Sequence, residues 1–158
     1  MIDWSCRASP VVNQGVCGSC FVIAPLESIY ITAKIYAQNL LPLSFQEVLS
    51  CSLGNSASFG CNGGYFTSVY DYTQINGTGR AMMYPYNTQA SSQGTVTACN
   101  KTLINSSTYQ NSKFKIRSSS YIPYRDCSAM VNTLKTQAIA VAISTVGLQF
   151  YVSGTFNE

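Results

Sequence analysis

The sequence predicts an α+β fold, with helices in the first two-thirds of the chain and strands in the last third. Three observations carry this prediction. Apolar residues recur at helical spacing after Cys20, a helix-capping sequence begins at Ser44, and small and branched residues alternate from Ala138 to Ile143. The first two patterns are typical of helices on a core, and the third of a strand between packed layers. A chain of 158 residues suits one domain or two small lobes.

The first predicted helix covers residues 20–38 and contains Pro25, which removes one backbone hydrogen bond and predicts a kink. Its core-facing stripe consists of Ile23, Leu26, Tyr30, Ala33 and Ala37.

The second predicted helix begins at Ser44, which forms a capping box with Glu47, while Leu43 and Val48 supply a hydrophobic staple. A third helix is predicted over residues 63–74, ending at Asn76-Gly77.

The second half of the chain changes character. Residues 87–110 are rich in Ser, Thr, Asn and Gln and predict irregular surface, and residues 126–137 predict a short helix. Lys113, Lys115 and Arg117 alternate, which predicts one solvated strand face. Strands are predicted around Phe114, Ile116, Tyr121 and Ile122, and over residues 138–143 and 148–156.

The composition excludes several classes of protein. The net charge is +3 without a block of like charges, which argues against nucleic-acid binding. The longest apolar run, residues 138–143, is too short to cross a bilayer. The first residues lack the apolar core of a signal peptide. Together with the many cysteines, this predicts a mature segment of a longer precursor or a partial sequence.

Seven cysteines indicate an oxidising compartment, and the odd number leaves one thiol over. Only 9% of the residues are charged, so glycans are a plausible source of solubility. Three Asn-X-Ser/Thr sequons predict N-glycosylation at Asn76, Asn100 and Asn105.

Cys17 and Cys20 lie close together in the sequence QGVCGSCF. A zinc site needs a second Cys or His pair, and the chain has no histidine. A redox pair usually follows a strand, and no strand pattern precedes Cys17. What remains is one bridged cysteine and one free thiol at a helix start, where backbone N–H groups stabilise a thiolate. Gln14 lies upstream, where its amide can act as a donor beside the sulfur. The alternative is that Cys20 is a small core residue.

Six segments resemble papain-like cysteine proteases, the cathepsin family, in the family's order along the chain. Residues 14–20 resemble the active-site segment of that family. The others are Asp3-Trp4, LSFQEVLSC at 43–51, GCNGGY at 60–65, YPY at 84–86 and FYVSG at 150–154.

The resemblance implies a papain-like two-lobed fold. The helical lobe is expected over residues 8–105. An incomplete, strand-rich, β-barrel-like lobe is expected from residues 1–7 and 106–158.

The resemblance also implies roles for single residues. Cys20 matches the nucleophile, and Gln14 matches the side-chain donor of the oxyanion hole, alongside the Cys20 backbone N–H. No metal or cofactor is implied. The matched substrate-binding residues are Gly18, Gly63, Gly64, Tyr65, Phe66 and Ala142.

Two disulfides follow from the same resemblance, Cys17–Cys61 and Cys51–Cys99. Cys6 and Cys127 have no family partner. We hypothesise a third bridge between them, with two separate surface thiols as the alternative.

The chain departs from the family pattern at two further points. Phe21 stands where the family has Trp or Tyr, and the family's histidine is missing. The end of the chain resembles the stretch before that histidine, which predicts a C-terminally incomplete sequence that is inactive as it stands. The whole protein is then a cysteine-type endopeptidase. The alternatives are a catalytically dead homologue acting as a binding or structural module, and a disulfide-stapled surface protein.

The implied partners are peptide or protein substrates, the protein's own propeptide and protein inhibitors. Neither nucleic acid nor a membrane span is expected. The implied compartment is lysosomal, vacuolar or extracellular.

Overall fold

The computed structural model describes residues 2–36, 40–54 and 56–154. Its longest helix, α1, packs against the next two helices, and these three enclose the core. Short 3-10 turns lie at Ser5–Arg7, Gly60–Asn62 and Leu148–Phe150. The helices are α1 (Cys20–Tyr36), α2 (Phe45–Cys51), α3 (Phe66–Ile75), α4 (Thr88–Ser92), α5 (Lys101–Ile104), α6 (Ser107–Gln110) and α7 (Cys127–Leu134).

Helix α1 buries a wider face than the sequence predicted. Leu26 and Tyr30 are buried as expected, but Ile23 and Ala33 are only half-buried, and Ala37 lies outside the described residues. Pro25 is buried, and the helix continues past it to Tyr36. The buried face is wide because α1 packs against two helices rather than one. It also includes Phe21, Val22 and Ile29.

Helix α2 begins at the predicted cap, but only half of the predicted capping box forms. The Ser44 hydroxyl accepts a hydrogen bond from the Glu47 backbone N–H at 3.0 Å. The Glu47 carboxylate does not return this bond, because the Ser44 N–H donates to the carbonyl of Gly79 at 2.9 Å. Leu43 and Val48, the predicted staple, both belong to the buried core.

The carboxylate of Glu47 instead lies inside the protein and is fully buried. Lys113 Nζ lies 2.9 Å from Oε1, and the Lys113 side chain is 6% exposed. The expected solvated face is therefore wrong for Lys113, because a buried carboxylate needs a nearby cation. The other donors to this carboxylate are the hydroxyls of Tyr72, Thr78 and Tyr109 and the backbone N–H of Gly79.

The tyrosines around this carboxylate are held in their neutral form. Burial, and then the Glu47 carboxylate, raise the pKa of Tyr72 above its ordinary value of 10.0. The pKa of Tyr109 is raised for the same reasons. Both hydroxyls therefore remain donors to Glu47 across the physiological pH range.

Residues 87–110 are more ordered than their composition suggested. Three short helices, α4 to α6, form there, each with a side chain that caps its first turn: Asn87, Asn100 and Ser106. Tyr109 is fully buried, so this segment also contributes to the interior. The polar residues that predicted loops act here as N-caps, which is their other common role.

The predicted strands are not found in the described part of the chain. In the described residues, β-pairing is limited to isolated bridges, such as the one between Thr78 and Phe114. Residues 148–150 form a 3-10 turn, and residues 155–156 of that predicted strand lie outside the described residues. Val141 and Ile143 are exposed. A strand needs a neighbour to accept its hydrogen bonds, and no described segment pairs with residues 138–143.

The C-terminal segment instead lies on α1 and on the N-terminus. The backbone N–H of Ala138 donates to Thr32 Oγ1 at 3.1 Å, and the Tyr36 hydroxyl donates to the carbonyl of Thr136 at 3.0 Å. Trp4 Nε1 donates to the carbonyl of Leu134, the last residue of α7, at 2.9 Å. Helix α7 falls within the predicted residues 126–137 and is capped by the Asp126 side chain.

Candidate active site

The loop before α1 is fixed to the loop before α3. Cys17 is fully buried and forms a disulfide with Cys61, with the two Cα atoms 4.4 Å apart. The Gly18 N–H donates to the carbonyl of Cys61 at 2.8 Å. A Cβ at Gly18 would lie 2.8 Å from that same oxygen, so only glycine fits there. This is the disulfide that the resemblance implied.

Cys20 is the first residue of α1, and its thiol is free and exposed. The helix starts here because the carbonyl of Ser19 accepts hydrogen bonds from the N–H groups of Val22 and Ile23, at 2.9 and 3.1 Å. The first N–H groups of a helix have no partner within the helix and stabilise a nearby anion. The sulfur is therefore accessible to solvent and lies at the N-terminal end of a helix.

Tyr86 connects the two ends of this loop. Its hydroxyl lies 2.7 Å from Ser19 Oγ and donates to the carbonyl of Gln14 at 3.4 Å. Ser19 is fully buried and Gln14 is half-buried. Sequence reasoning assigned no role to Ser19 or Tyr86, although Tyr86 belongs to the segment YPY that carries part of the resemblance.

Of the two glycines Gly63 and Gly64 in the loop before α3, one packs closely against α1. A Cβ on Gly64 would lie 2.6 Å from Cδ2 of Phe21 and 2.9 Å from the carbonyl oxygen of Ala57. A Cβ on Gly63 would meet nothing within 4 Å. Gly64 therefore leaves room for the Phe21 ring, and Gly63 leaves an open surface.

Of the three predicted pocket walls, one lines a cavity in the described part of the chain. Phe66 lines a cavity of about 490 Å³ between α3 and α7, whose described walls also include Met130 and Ala140. Tyr65 is 65% exposed, and Ala142 is also exposed. Neither of these two is among the described residues that line the cavity.

The second implied disulfide, Cys51–Cys99, is also formed, with the Cα atoms 4.8 Å apart. The hypothesised third bridge is wrong, because Cys6 and Cys127 are free, exposed thiols. The N-terminal segment contacts Leu134, at one end of α7, whereas Cys127 is at the other end. Eight helical residues span about 10 Å, and a disulfide requires Cα atoms within about 7 Å.

The asparagines of all three sequons, Asn76, Asn100 and Asn105, are exposed. Among the described residues, no group of three or more His, Cys, Asp or Glu side chains is arranged to hold a metal ion. Of the helices in residues 2–36, 40–54 and 56–154, none has the length and apolar character that crossing a bilayer requires.

The sequence matches, over residues 1–158, the family described as papain family cysteine protease. The chain therefore belongs to the papain family. It is 32% identical to chymopapain of Carica papaya over 99% of this chain and 42% of chymopapain. It is 34% identical to macrodontain-1 of Ananas macrodontes, over 99% of this chain and 68% of that protein. The chain thus spans less than half the length of chymopapain.

Two solved structures show the same fold. One is a cysteine protease of Carica candamarcensis in complex with E-64, with a TM-score of 0.68 and 28% identity over 86% of this chain and 58% of that one. The other is the ragweed pollen allergen Amb a 11 in its proform, with a TM-score of 0.77 and 26% identity over 99% of this chain and 46% of that one.

Proposed function

We propose that this chain is the nucleophile-bearing part of a cysteine-type endopeptidase, and that Cys20 is the nucleophile. The observation that carries the proposal is the position of a free, exposed thiol on the first residue of α1. In the reaction, Cys20 Sγ attacks the carbonyl carbon of a peptide bond and forms an acyl-enzyme, and the amine departs. Water then releases the acyl group and restores the thiol.

The oxyanion that forms during this attack needs donors that are already in place. We assign this role to the Gln14 side chain and the Cys20 backbone N–H. The contact from the Tyr86 hydroxyl to the Gln14 carbonyl supports this assignment, because it fixes the Gln14 backbone relative to the start of α1.

Substrate binding is assigned to the two glycine-containing loops. Gly63 has open space where a side chain would be, which suits the approach of a peptide backbone. Gly18 and Gly64 keep the two loops close together. Tyr65 and Phe66 are proposed as the nearby side-chain contacts, and Ala142 as a further wall in the complete protein.

Acyl transfer also needs a base that accepts the thiol proton and later protonates the leaving amine. The 158 residues contain no histidine. We therefore assign the base to a histidine in the remainder of the full-length protein, and expect the 158 residues alone to give no turnover. The second candidate is a catalytically dead homologue that binds peptides, and the open surface at Gly63, which suits peptide binding with or without cleavage, is the observation that favours it.

The proposed partners are peptide or protein substrates, the protein's own propeptide and protein inhibitors. A relative has been solved in its proform, and another in complex with E-64. The proposed compartment is lysosomal, vacuolar or extracellular, because two disulfides form in the chain and disulfides persist in oxidising compartments. The proposed two-lobed division at residue 105 applies to the complete protein.

The test compares two serine variants of the full-length protein. Cys20 and Cys127 are both free, exposed and the first residue of a helix, so Cys127→Ser is a matched control. We expect Cys20→Ser to abolish peptide cleavage and Cys127→Ser to leave it unchanged. A full-length protein that binds peptides but cleaves none would establish the second candidate instead.

The oxyanion assignment has its own test. Gln14→Ala should lower kcat by about 10²–10³, with little change in KM, because the donor acts mainly in the transition state. A rise in KM with an unchanged kcat would mean that Gln14 binds the substrate without stabilising the oxyanion.

A further inference from the structure

A second cavity, of about 440 Å³, lies away from the nucleophile loop, beside the Cys51–Cys99 disulfide. It is bounded by the ends of α2 and α3 and by α5. No residue proposed for catalysis or substrate binding lines it. Its walls include Leu53 and Ile75, which are 46% and 70% exposed.

Two of the three sequon asparagines line this same cavity. Asn76 directly follows α3 and Asn105 directly follows α5, so residues far apart in the sequence meet here. The third, Asn100, does not line it, and its side-chain oxygen accepts a hydrogen bond from the Leu103 N–H at 3.0 Å as the cap of α5.

The Ser or Thr residues of these two sequons differ in their exposure to solvent. Thr78, in the sequon of Asn76, is fully buried, and its hydroxyl donates to the Glu47 carboxylate at 3.2 Å. Ser107, in the sequon of Asn105, is exposed. The Asn105 sequon can therefore be recognised both before and after folding. The Asn76 sequon can be recognised only before the site around Glu47 closes.

The walls of the cavity suit a sugar. Leu53 and Ile75 offer apolar surface to the C–H face of a pyranose ring, while the exposed side chains of Asp71 and Lys101 can exchange hydrogen bonds with its hydroxyl groups. Ligand sites commonly combine apolar walls with a few polar groups in this way.

We propose that Asn105 carries an N-linked glycan whose first sugar residue lies in this cavity, over Leu53 and Ile75. The donor is a lipid-linked oligosaccharide diphosphate. Asn105 Nδ2 forms a bond to C1 of the sugar as the bond from C1 to the diphosphate oxygen breaks. The lipid diphosphate leaves with the electron pair, and the amide nitrogen loses one proton.

This proposal rests on the proposed compartment and is independent of peptidase activity. A glycan there adds polar surface to a chain in which only 9% of the residues are charged.

Occupancy is tested on the full-length protein secreted from a eukaryotic host. Enzymatic release of the glycans in H₂¹⁸O converts each modified Asn to labelled Asp, which peptide mass spectrometry locates. We expect the label at Asn105 in wild type and in Ser107→Thr, which keeps the sequon, and its loss in Ser107→Ala. Secreted protein with both disulfides formed but an unmodified Asn105 would overturn the proposal while leaving the compartment intact.

The position of the first sugar is tested by comparing three forms of the protein. An endoglycosidase that leaves one sugar on Asn105 should preserve the Tm of the fully glycosylated protein. Asn105→Asp, the chemical product of complete removal, should lower the Tm by about 2–4 °C. In the Ile75→Ser background, the Tm difference between the single-sugar form and Asn105→Asp should be smaller by half or more. Equal Tm values for the single-sugar form and Asn105→Asp would show that the sugar does not occupy the cavity.

Discussion

The hydroxyl groups of Ser19 and Tyr86 lie 2.7 Å apart, at the residue that precedes the free thiol of Cys20. Ser19 is fully buried and precedes Cys20, and Tyr86 also contacts the carbonyl of Gln14. One phenol thus connects the residue before the proposed nucleophile with the proposed oxyanion donor. Because buried hydroxyls are costly without a partner, this connection also stabilises the loop.

Tyr86→Phe removes the phenol oxygen and leaves Ser19 without this partner. We expect the free energy of unfolding to fall by about 1–3 kcal/mol. We also expect the rate of Cys20 alkylation by iodoacetamide to change, because the residue before Cys20 loses its hydrogen bond to Tyr86. Tyr65→Phe, at an exposed tyrosine, is the control and should change neither. An unchanged alkylation rate and stability in Tyr86→Phe would mean that the hydrogen bonds of Tyr86 do not position the loop.

Gly64→Ala tests the contact between the glycine loop and α1. The new methyl group would overlap the Phe21 ring and the Ala57 carbonyl, so we expect a loss of about 1–3 kcal/mol in a urea titration. The double variant Gly64→Ala/Phe21→Leu should recover part of this loss, because the smaller side chain gives the methyl group room. Additive losses in the double variant would show that crowding of Phe21 is not the cause.

Glu47→Gln removes a buried charge that has a buried cationic partner. We expect a loss of about 3–5 kcal/mol in denaturant unfolding, because the buried Lys113 side chain loses its carboxylate partner. The double variant Glu47→Gln/Lys113→Met should be more stable than Glu47→Gln alone. Glu27→Gln is the control, because this half-buried carboxylate accepts its hydrogen bonds, among the described residues, from Ser9. Its loss of stability should be smaller.

Alkaline pH should destabilise the protein through Tyr72 and Tyr109. Their pKa values in the folded state are raised above 10.0, so the unfolded chain releases these protons first. Stability from this source is complete below pH 10 and falls above it, by up to about 1.4 kcal/mol per pH unit for each tyrosine. Denaturation midpoints measured between pH 9 and 11.5 should show the fall, and Tyr109→Phe should make it less steep. If stability fell equally steeply with pH in wild type and in Tyr109→Phe, ionisation of Tyr109 would not be a cause of the fall.

The helices around the site were predictable because local signals determine them. The cap at Ser44 and the stop at Asn76-Gly77 depend on chemistry within a few residues. The free cysteine at the start of α1 followed from the motif around Cys20 in the same way. Pairings such as Cys17–Cys61 came from the family resemblance, because spacing along a chain does not determine which cysteines meet.

The features that sequence reasoning missed depend on distant partners. The capping-box pattern predicted that the Glu47 side chain binds the Ser44 backbone. In the structure its carboxylate binds Lys113 and Tyr109, which lie more than 60 residues later in the sequence. The alternation in residues 138–143 predicted a strand, but a strand forms only where a neighbour accepts its hydrogen bonds. Local patterns report a residue's preference, and long-range contacts decide which preference is satisfied.

The buried site around Glu47 also sets an order of events during protein synthesis. Its carboxylate leaves the ribosome long before Tyr109 and Lys113 are made, and domains fold as their segments emerge. Until Lys113 arrives, closing α2 against α3 would bury a charge without its cation. We therefore expect the nascent helical region to remain open until about residue 113 is available. That delay would keep the Asn76-Gly77-Thr78 sequon, whose Thr78 hydroxyl binds Glu47 in the folded protein, accessible to modifying enzymes during the same interval.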